Sequence, residues 1–146
     1  MLSAGSKAPT FCLPDVAEIL SRGPVLLVFY KISCPVCQMT LPFLERIVHG
    51  ALPIVAISQD DAAGTRRFQS KFAVTLTTLF DSEDDGYPAS NAFGISHVPS
   101  LFLVEPDGTI SIASEGFVKA DLESIAQRSA LPIFHAHESV PAWKAG

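Results

Sequence analysis

Residues 25–42 read Val-Leu-Leu-Val-Phe-Tyr-Lys-Ile-Ser-Cys-Pro-Val-Cys-Gln-Met-Thr-Leu-Pro, and two patterns meet inside them. Residues 25–30 form a short, unbroken β-branched and aromatic run set off by Gly23-Pro24. Such a run predicts a strand buried on both faces, as in the interior of a parallel or mixed sheet. From Pro35 the period changes. Leu41, Leu44 and Ile47-Val48 recur at helical spacing with Glu45 and Arg46 between them, which predicts a helix over residues 35–49. Proline suits the first helical position, where its missing N–H is no loss, whereas Pro42 inside the helix predicts a kink. Two cysteines, Cys34 and Cys37, therefore stand at the junction of strand and helix.

Working outward, residues 53–58 repeat the buried-strand pattern, and Asp60 or Asp61 is placed to cap a helix carrying Phe68 and Phe72 four apart. A short strand is expected over 76–80, an acidic turn over 81–87 and a short helix over 89–93. Residues 100–104 form a third strong strand. Pro106-Asp107-Gly108 then turns the chain so that 109–114 pairs antiparallel with it. A last helix spans 118–129, with Leu122, Ile125 and Ala126 on its apolar face. Ahead of the first strand lie an apolar piece at 11–13 and a helical turn or irregular segment at 16–20. Alternating strands and helices followed by a hairpin indicate an α/β sandwich around a mixed sheet. One domain is expected over 1–130. Residues 131–146 show no period and are expected to be a tail that lies over the domain or is partly disordered.

Composition excludes several classes. A chain of 146 residues suits one domain and can bury a core without a staple or a metal. With 48% hydrophobic and 17% charged residues it is the opposite of a disordered chain. A net charge of −5 argues against nucleic acid or an anionic membrane as partner. Mean hydropathy is +0.33, yet the longest apolar run is the six residues 25–30. A membrane helix needs about 20, so no membrane segment is expected. The first ten residues hold no basic stretch followed by an apolar block. The expected location is cytoplasmic, or periplasmic if a leader has been removed.

The cysteines carry the chemistry. Side chains three apart on a helix have Cβ atoms about 5–6 Å apart, while a disulfide needs about 3.5–4.5 Å, so a Cys34–Cys37 bond closes with a small adjustment. Its four-residue ring removes only about 2 kcal/mol of unfolded-chain entropy. A bridge that stabilises so little suits a redox couple better than a staple. Unpaired N–H groups and the helix dipole favour an anion at Cys34, the exposed nucleophile in this reading. Cys37, one turn inside, is the buried resolving thiol. The same spacing also serves zinc, but a structural site needs four ligands. Cys12, His49, His97, His135 and His137 form no second paired motif. No metal and no cofactor is expected. Cys12 is read as a buried structural thiol.

Residues 25–42, the Ala8-Pro9-Thr10-Phe11 opening and the pairing of Cys34-Pro-Val-Cys37 with Phe93-Gly-Ile-Ser-His-Val-Pro-Ser100 resemble the thioredoxin superfamily. Within it they resemble the TlpA, ResA and MauD branch, redoxins related to the AhpC/TSA proteins. The resemblance covers residues 7–129. It implies a thioredoxin-like three-layer sandwich, dithiol–disulfide exchange through Cys34 and Cys37, and a cis peptide bond before Pro99. In the family the residue matching Pro99 lies against the disulfide, and the backbone before it pairs with substrate. Substrate contacts are thus implied for Pro35, Val36, Val98 and Pro99. His97 and Lys31 are placed to tune the Cys34 thiol. Partners are a substrate protein or a small disulfide or dithiol, and an unspecified redox partner. Three positions depart from the family: Ser33 replaces a common aromatic residue, and Val28 and Thr40 stand where relatives carry an acid. The Cys37 proton must then leave to water or another group.

Two other functions fit the resemblance less well. A peroxiredoxin-type peroxidase would carry Thr or Ser and, further back, Pro where this chain has Lys31 and Leu27. A metal-handling relative would space its cysteines more widely.

Overall fold

The structure, a computed structural model, describes residues 1–146. A 3-10 turn at Thr10–Cys12 leads into helix α1 (Pro14–Leu20). Strand β1 (Val25–Tyr30), helix α2 (Pro35–Glu45), β2 (Ile54–Ser58), α3 (Ala62–Phe72) and β3 (Thr77–Phe80) follow. A 3-10 turn at Glu83–Asp85 precedes α4 (Pro88–Ala92). The chain then forms β4 (Ser100–Val104), β5 (Ile110–Glu115), β6 (Phe117–Val118), α5 (Lys119–Ser129) and β7 (Trp143–Lys144). No helix is long and apolar enough to cross a membrane.

Five strands form one sheet in the order β3-β2-β1-β4-β5. β1 pairs parallel with β2 and antiparallel with β4, so the sheet is mixed and β1 is its centre. The sequence pattern accounts for this. Every residue of β1, β2 and β4 is buried, and alternate side chains take opposite faces. Leu26, Val28 and Tyr30 enter the larger core cluster with Cys37, Leu41, Leu44 and Phe68 and with Leu122, Ile125 and Ala126 of α5. Val25, Leu27 and Phe29 enter the other with Val16, Leu20, Ala89, Phe93 and Phe102. Burying each large side chain contributes about 1.5–3 kcal/mol relative to an exposed position. The result is a thioredoxin-like sheet flanked by helices, as expected.

Helix α2 is shorter than its period predicts. It stops at Glu45 rather than 49. Beyond it the bonds tighten to Ile47 N–H on Leu44 O and Gly50 N–H on Ile47 O, both 3.0 Å. The tertiary reason is α5: Ala51 N–H donates to Ser129 O at 2.8 Å, and a Cβ on Gly50 would collide with Ser129. Pro42 lies within the helix.

Residues 131–146 lie on the body. Ile133 is buried in the larger core, and Phe134 meets Phe43 edge-on with ring centroids 5.1 Å apart. Arg46 binds both oxygens of Glu138 at 2.7 Å. The chain then pairs β7 antiparallel on β6. This two-stranded ribbon has no periodic signal because it spans only two residues on each side.

Candidate active site

The sheet delivers the two cysteines. β1 ends at Tyr30, and four residues later the chain enters α2 with Cys34 as its N-cap, extended at φ −83° and ψ 117°, and Pro35 at the first helical position. Cys34 Sγ accepts a hydrogen bond from Cys37 N–H at 3.3 Å, one of the unpaired donors that every helix start leaves. Both thiols are free. Cys34 is half-buried, between exposed Ser33 and Pro35, and Val36 is half-buried. Cys37 is fully buried. Burial pushes its thiol well above the ordinary range, opposed in part by a backbone hydrogen bond from Lys31 and reinforced by Cys34 and the Asp60 charge. One sulfur is therefore presented and the other is held protonated beneath it.

The loop carrying Cys34 is pinned from both sides. Asp60 accepts from Ile32 N–H at 2.8 Å, Gln38 Nε2 donates to Ile32 O at 2.9 Å, and Cys34 N–H donates to Lys31 O at 3.2 Å. The Asp60-Asp61 doublet thus divides its work. Asp61 caps α3 through Gly64 N–H at 2.7 Å, whereas Asp60 holds the cysteine loop. Sequence reading reached the cap but not this second role, since a loop contact across 28 residues leaves no local pattern. Val28 and Thr40 are buried, and the Thr40 hydroxyl donates to Val36 O at 2.7 Å. Neither position supplies a proton acceptor of the carboxylate kind.

Opposite the cysteines stands the Val98–Pro99 bond, which is cis. Cys34 Sγ donates to Val98 O at 3.4 Å, so the structure brings Val98 and Cys34 into direct contact. A groove of about 430 Å³ opens there, with Lys31, Cys34, Tyr87, His97, Val98 and Gly146 among its walls. Lys31 reaches along it toward Tyr87, its Nζ 6.0 Å from the ring centre. His97 is on the rim, but its Nδ1 lies 2.7 Å from Glu115 Oε1. The imidazole is engaged by a carboxylate at the end of β5, a partner not legible in the sequence.

The remaining candidates lie elsewhere. Cys12 packs against the opposite core cluster and is half-buried rather than buried. It caps its own 3-10 turn through Pro9 O at 3.2 Å, and desolvation raises its thiol. His135 and His137 stack on each other at the surface with ring centroids 6.1 Å apart. No three His, Cys, Asp or Glu side chains are grouped to hold a metal ion.

Residues 4–113 match the sequence model of the AhpC/TSA family. Among curated proteins, the chain is 28% identical over 132 residues to the methylamine utilization protein MauD of Methylorubrum extorquens, spanning 84% of this chain but only 62% of that one. It is 24% identical over 141 residues to the thiol-disulfide oxidoreductase ResA of Geobacillus thermodenitrificans, spanning 85% of this chain and 79% of that one. In fold it resembles the thioredoxin domain of a thiol-disulfide oxidoreductase from Bacteroides vulgatus, with a TM-score of 0.71, 20% identity and coverage of 88% and 98%. It equally resembles a Chlorobium tepidum protein provisionally described as the thiol:disulfide interchange protein DsbE, with a TM-score of 0.71, 22% identity and coverage of 88% and 96%.

Proposed function

The chain belongs to the AhpC/TSA family, and on that premise we propose that it is a thiol–disulfide oxidoreductase working through Cys34 and Cys37. The observation that carries this reading is the asymmetry of the pair: Cys34 half-exposed at the helix start and bonded to a backbone N–H, Cys37 buried and held protonated behind it. The MauD and ResA relatives support it.

Acting as a reductant, the Cys34 thiolate attacks one sulfur of a substrate disulfide. That S–S bond breaks, the first substrate thiolate leaves and takes a proton, and Cys34 is joined to the second sulfur. Cys37 then loses its proton to water, attacks Cys34 Sγ and expels the second substrate thiolate. Two electrons pass from the dithiol to the substrate, leaving a Cys34–Cys37 disulfide. Run backwards, the same steps oxidise a dithiol. The substrate is a disulfide or dithiol, in a protein or a small molecule, that fits the groove between Tyr87 and Val98.

The test is an equilibrium titration in glutathione redox buffers, with the thiols counted by mass after alkylation. A single two-electron transition confined to Cys34 and Cys37 is expected, between about −120 and about −270 mV. Oxidation that ends at a Cys34–glutathione mixed disulfide, with no Cys34–Cys37 bond formed, would refute the reading.

A further inference from the structure

Residues 131–146 lie beyond the stretch that matches the family, yet they return to the groove. Anchored by Ile133 and by the Arg46–Glu138 pair, the chain runs out to β7 on β6 and brings Gly146 against Val98. A Cβ on Gly146 would collide with Val98 O and lie 2.9 Å from its carbon. Gly116 has no more room, because Lys144 O fills the space beside it and Gly146 N would lie 3.1 Å from a Cβ there. Two glycines on opposite sides of the contact thus let backbone approach backbone. Val98 O is also the acceptor for Cys34 Sγ. The backbone at Gly146 and the Cys34 sulfur both lie against the Val98 carbonyl.

We propose that residues 143–146 are a specificity determinant: a strap that keeps an extended polypeptide off the Val98 edge while leaving Cys34 open to small disulfides. The proposal rests on the exchange role above. A disulfide to Cys34 brings the partner's Cα to about 4.4–6.8 Å from its own. Each residue flanking that partner cysteine extends the chain by about 3.3–3.6 Å, so a polypeptide needs room on both sides of the sulfur. Tyr87 and Gly146 both line the groove, and Gly146 takes up the space against Val98 beside Cys34. A cysteine-sized disulfide has no second flank to place. The strap is lightly held, since β7 has two residues and Trp143 is 62% exposed. A polypeptide therefore enters by displacing it, at a cost a small molecule does not meet.

The test uses the full chain with Cys12→Ser and Cys37→Ser, so that Cys34 is the one remaining thiol. It is reacted with two mixed disulfides of thionitrobenzoate, one with free cysteine and one with a peptide of about ten residues bearing a central cysteine. In each case Cys34 bonds to the cysteine sulfur and thionitrobenzoate leaves, read by its absorbance. Two substitutions loosen the strap by different routes: Gly146→Ala, whose Cβ cannot be placed against Val98, and Lys144→Pro, which removes a donor from the β6–β7 pair. Both are expected to raise the peptide rate about tenfold, the equivalent of about 1.4 kcal/mol, while the free-cysteine rate changes less than about twofold. Equal acceleration of both probes, or an unchanged peptide rate in both variants, overturns the strap. Should Cys34 react no faster than cysteine in solution with either probe, the exchange role fails, while the ratio of the two rates still decides the strap.

Discussion

The Cys34 sulfur and the Cys37 amide are joined by a 3.3 Å hydrogen bond. Cys37 thereby holds with its backbone the atom that its own sulfur would bond. The arrangement depends on Cys34 being the N-cap, because only there does a side chain face the unpaired N–H groups of the first turn. In the proposed exchange the outer sulfur is reached first, and the inner one lies within one helical turn of it.

That order makes the two cysteines unequal in a trapping experiment. Cys37→Ser should accumulate a stable mixed disulfide with glutathione or a substrate protein, because attack at Cys34 survives and release does not. Cys34→Ser should accumulate little on the pair, since Cys37, the thiol left there, is fully buried. Cys12→Ser should exchange at the parent rate. Intact-mass spectrometry of the three variants decides, and more adduct on Cys34→Ser than on Cys37→Ser would reverse the assigned roles.

Asp60 separates positioning from charge. Asp60→Ala leaves the Ile32 N–H without its acceptor. The expected loss is about 1–3 kcal/mol in denaturant unfolding, together with slower exchange as the Cys34 loop loosens. Asp60→Asn keeps an acceptor oxygen and should recover most of that stability. It also removes a negative charge that helps hold the Cys37 proton. The pH at which the mixed disulfide resolves should therefore fall in Asp60→Asn. An unchanged resolution profile would leave Asp60 as an anchor alone.

Acid should release the segment after α5. Arg46 and the His135 N–H, 2.8 Å from its Oε1, hold the Glu138 carboxyl down at about 2, below its ordinary value of 4.5. A carboxylate lowered by folding stabilises the folded arrangement fully above the ordinary value, and that contribution is lost as pH falls through the lowered one. Between about 4.5 and 2 the anchor should therefore weaken, seen as faster hydrogen exchange at His135 N–H relative to the core. Arg46→Met should raise the pH of this transition toward the ordinary carboxylate range, and an unaltered exchange profile in that variant would rule the pair out as the anchor.

Much of this molecule is local enough to be written in its sequence. The two-sided burial of β1 follows from an unbroken apolar run, the start of α2 from Pro35, the cap of α3 from Asp61, and the hairpin between β4 and β5 from Pro106-Asp107-Gly108. Each rests on a period or a turn that a few neighbouring residues impose. The cysteine spacing belongs to the same class, since three residues on a helix return a side chain to one face. Tertiary structure decided what depends on residues far apart in the chain. Packing of Gly50 against Ser129 ended α2 at Glu45. Glu115 took up the His97 ring, Asp60 reached Ile32, and a two-residue ribbon carried Gly146 to Val98. Single hydrogen bonds, close backbone approaches and two-residue pairings have no repeat to read, so only the folded chain brings their partners together.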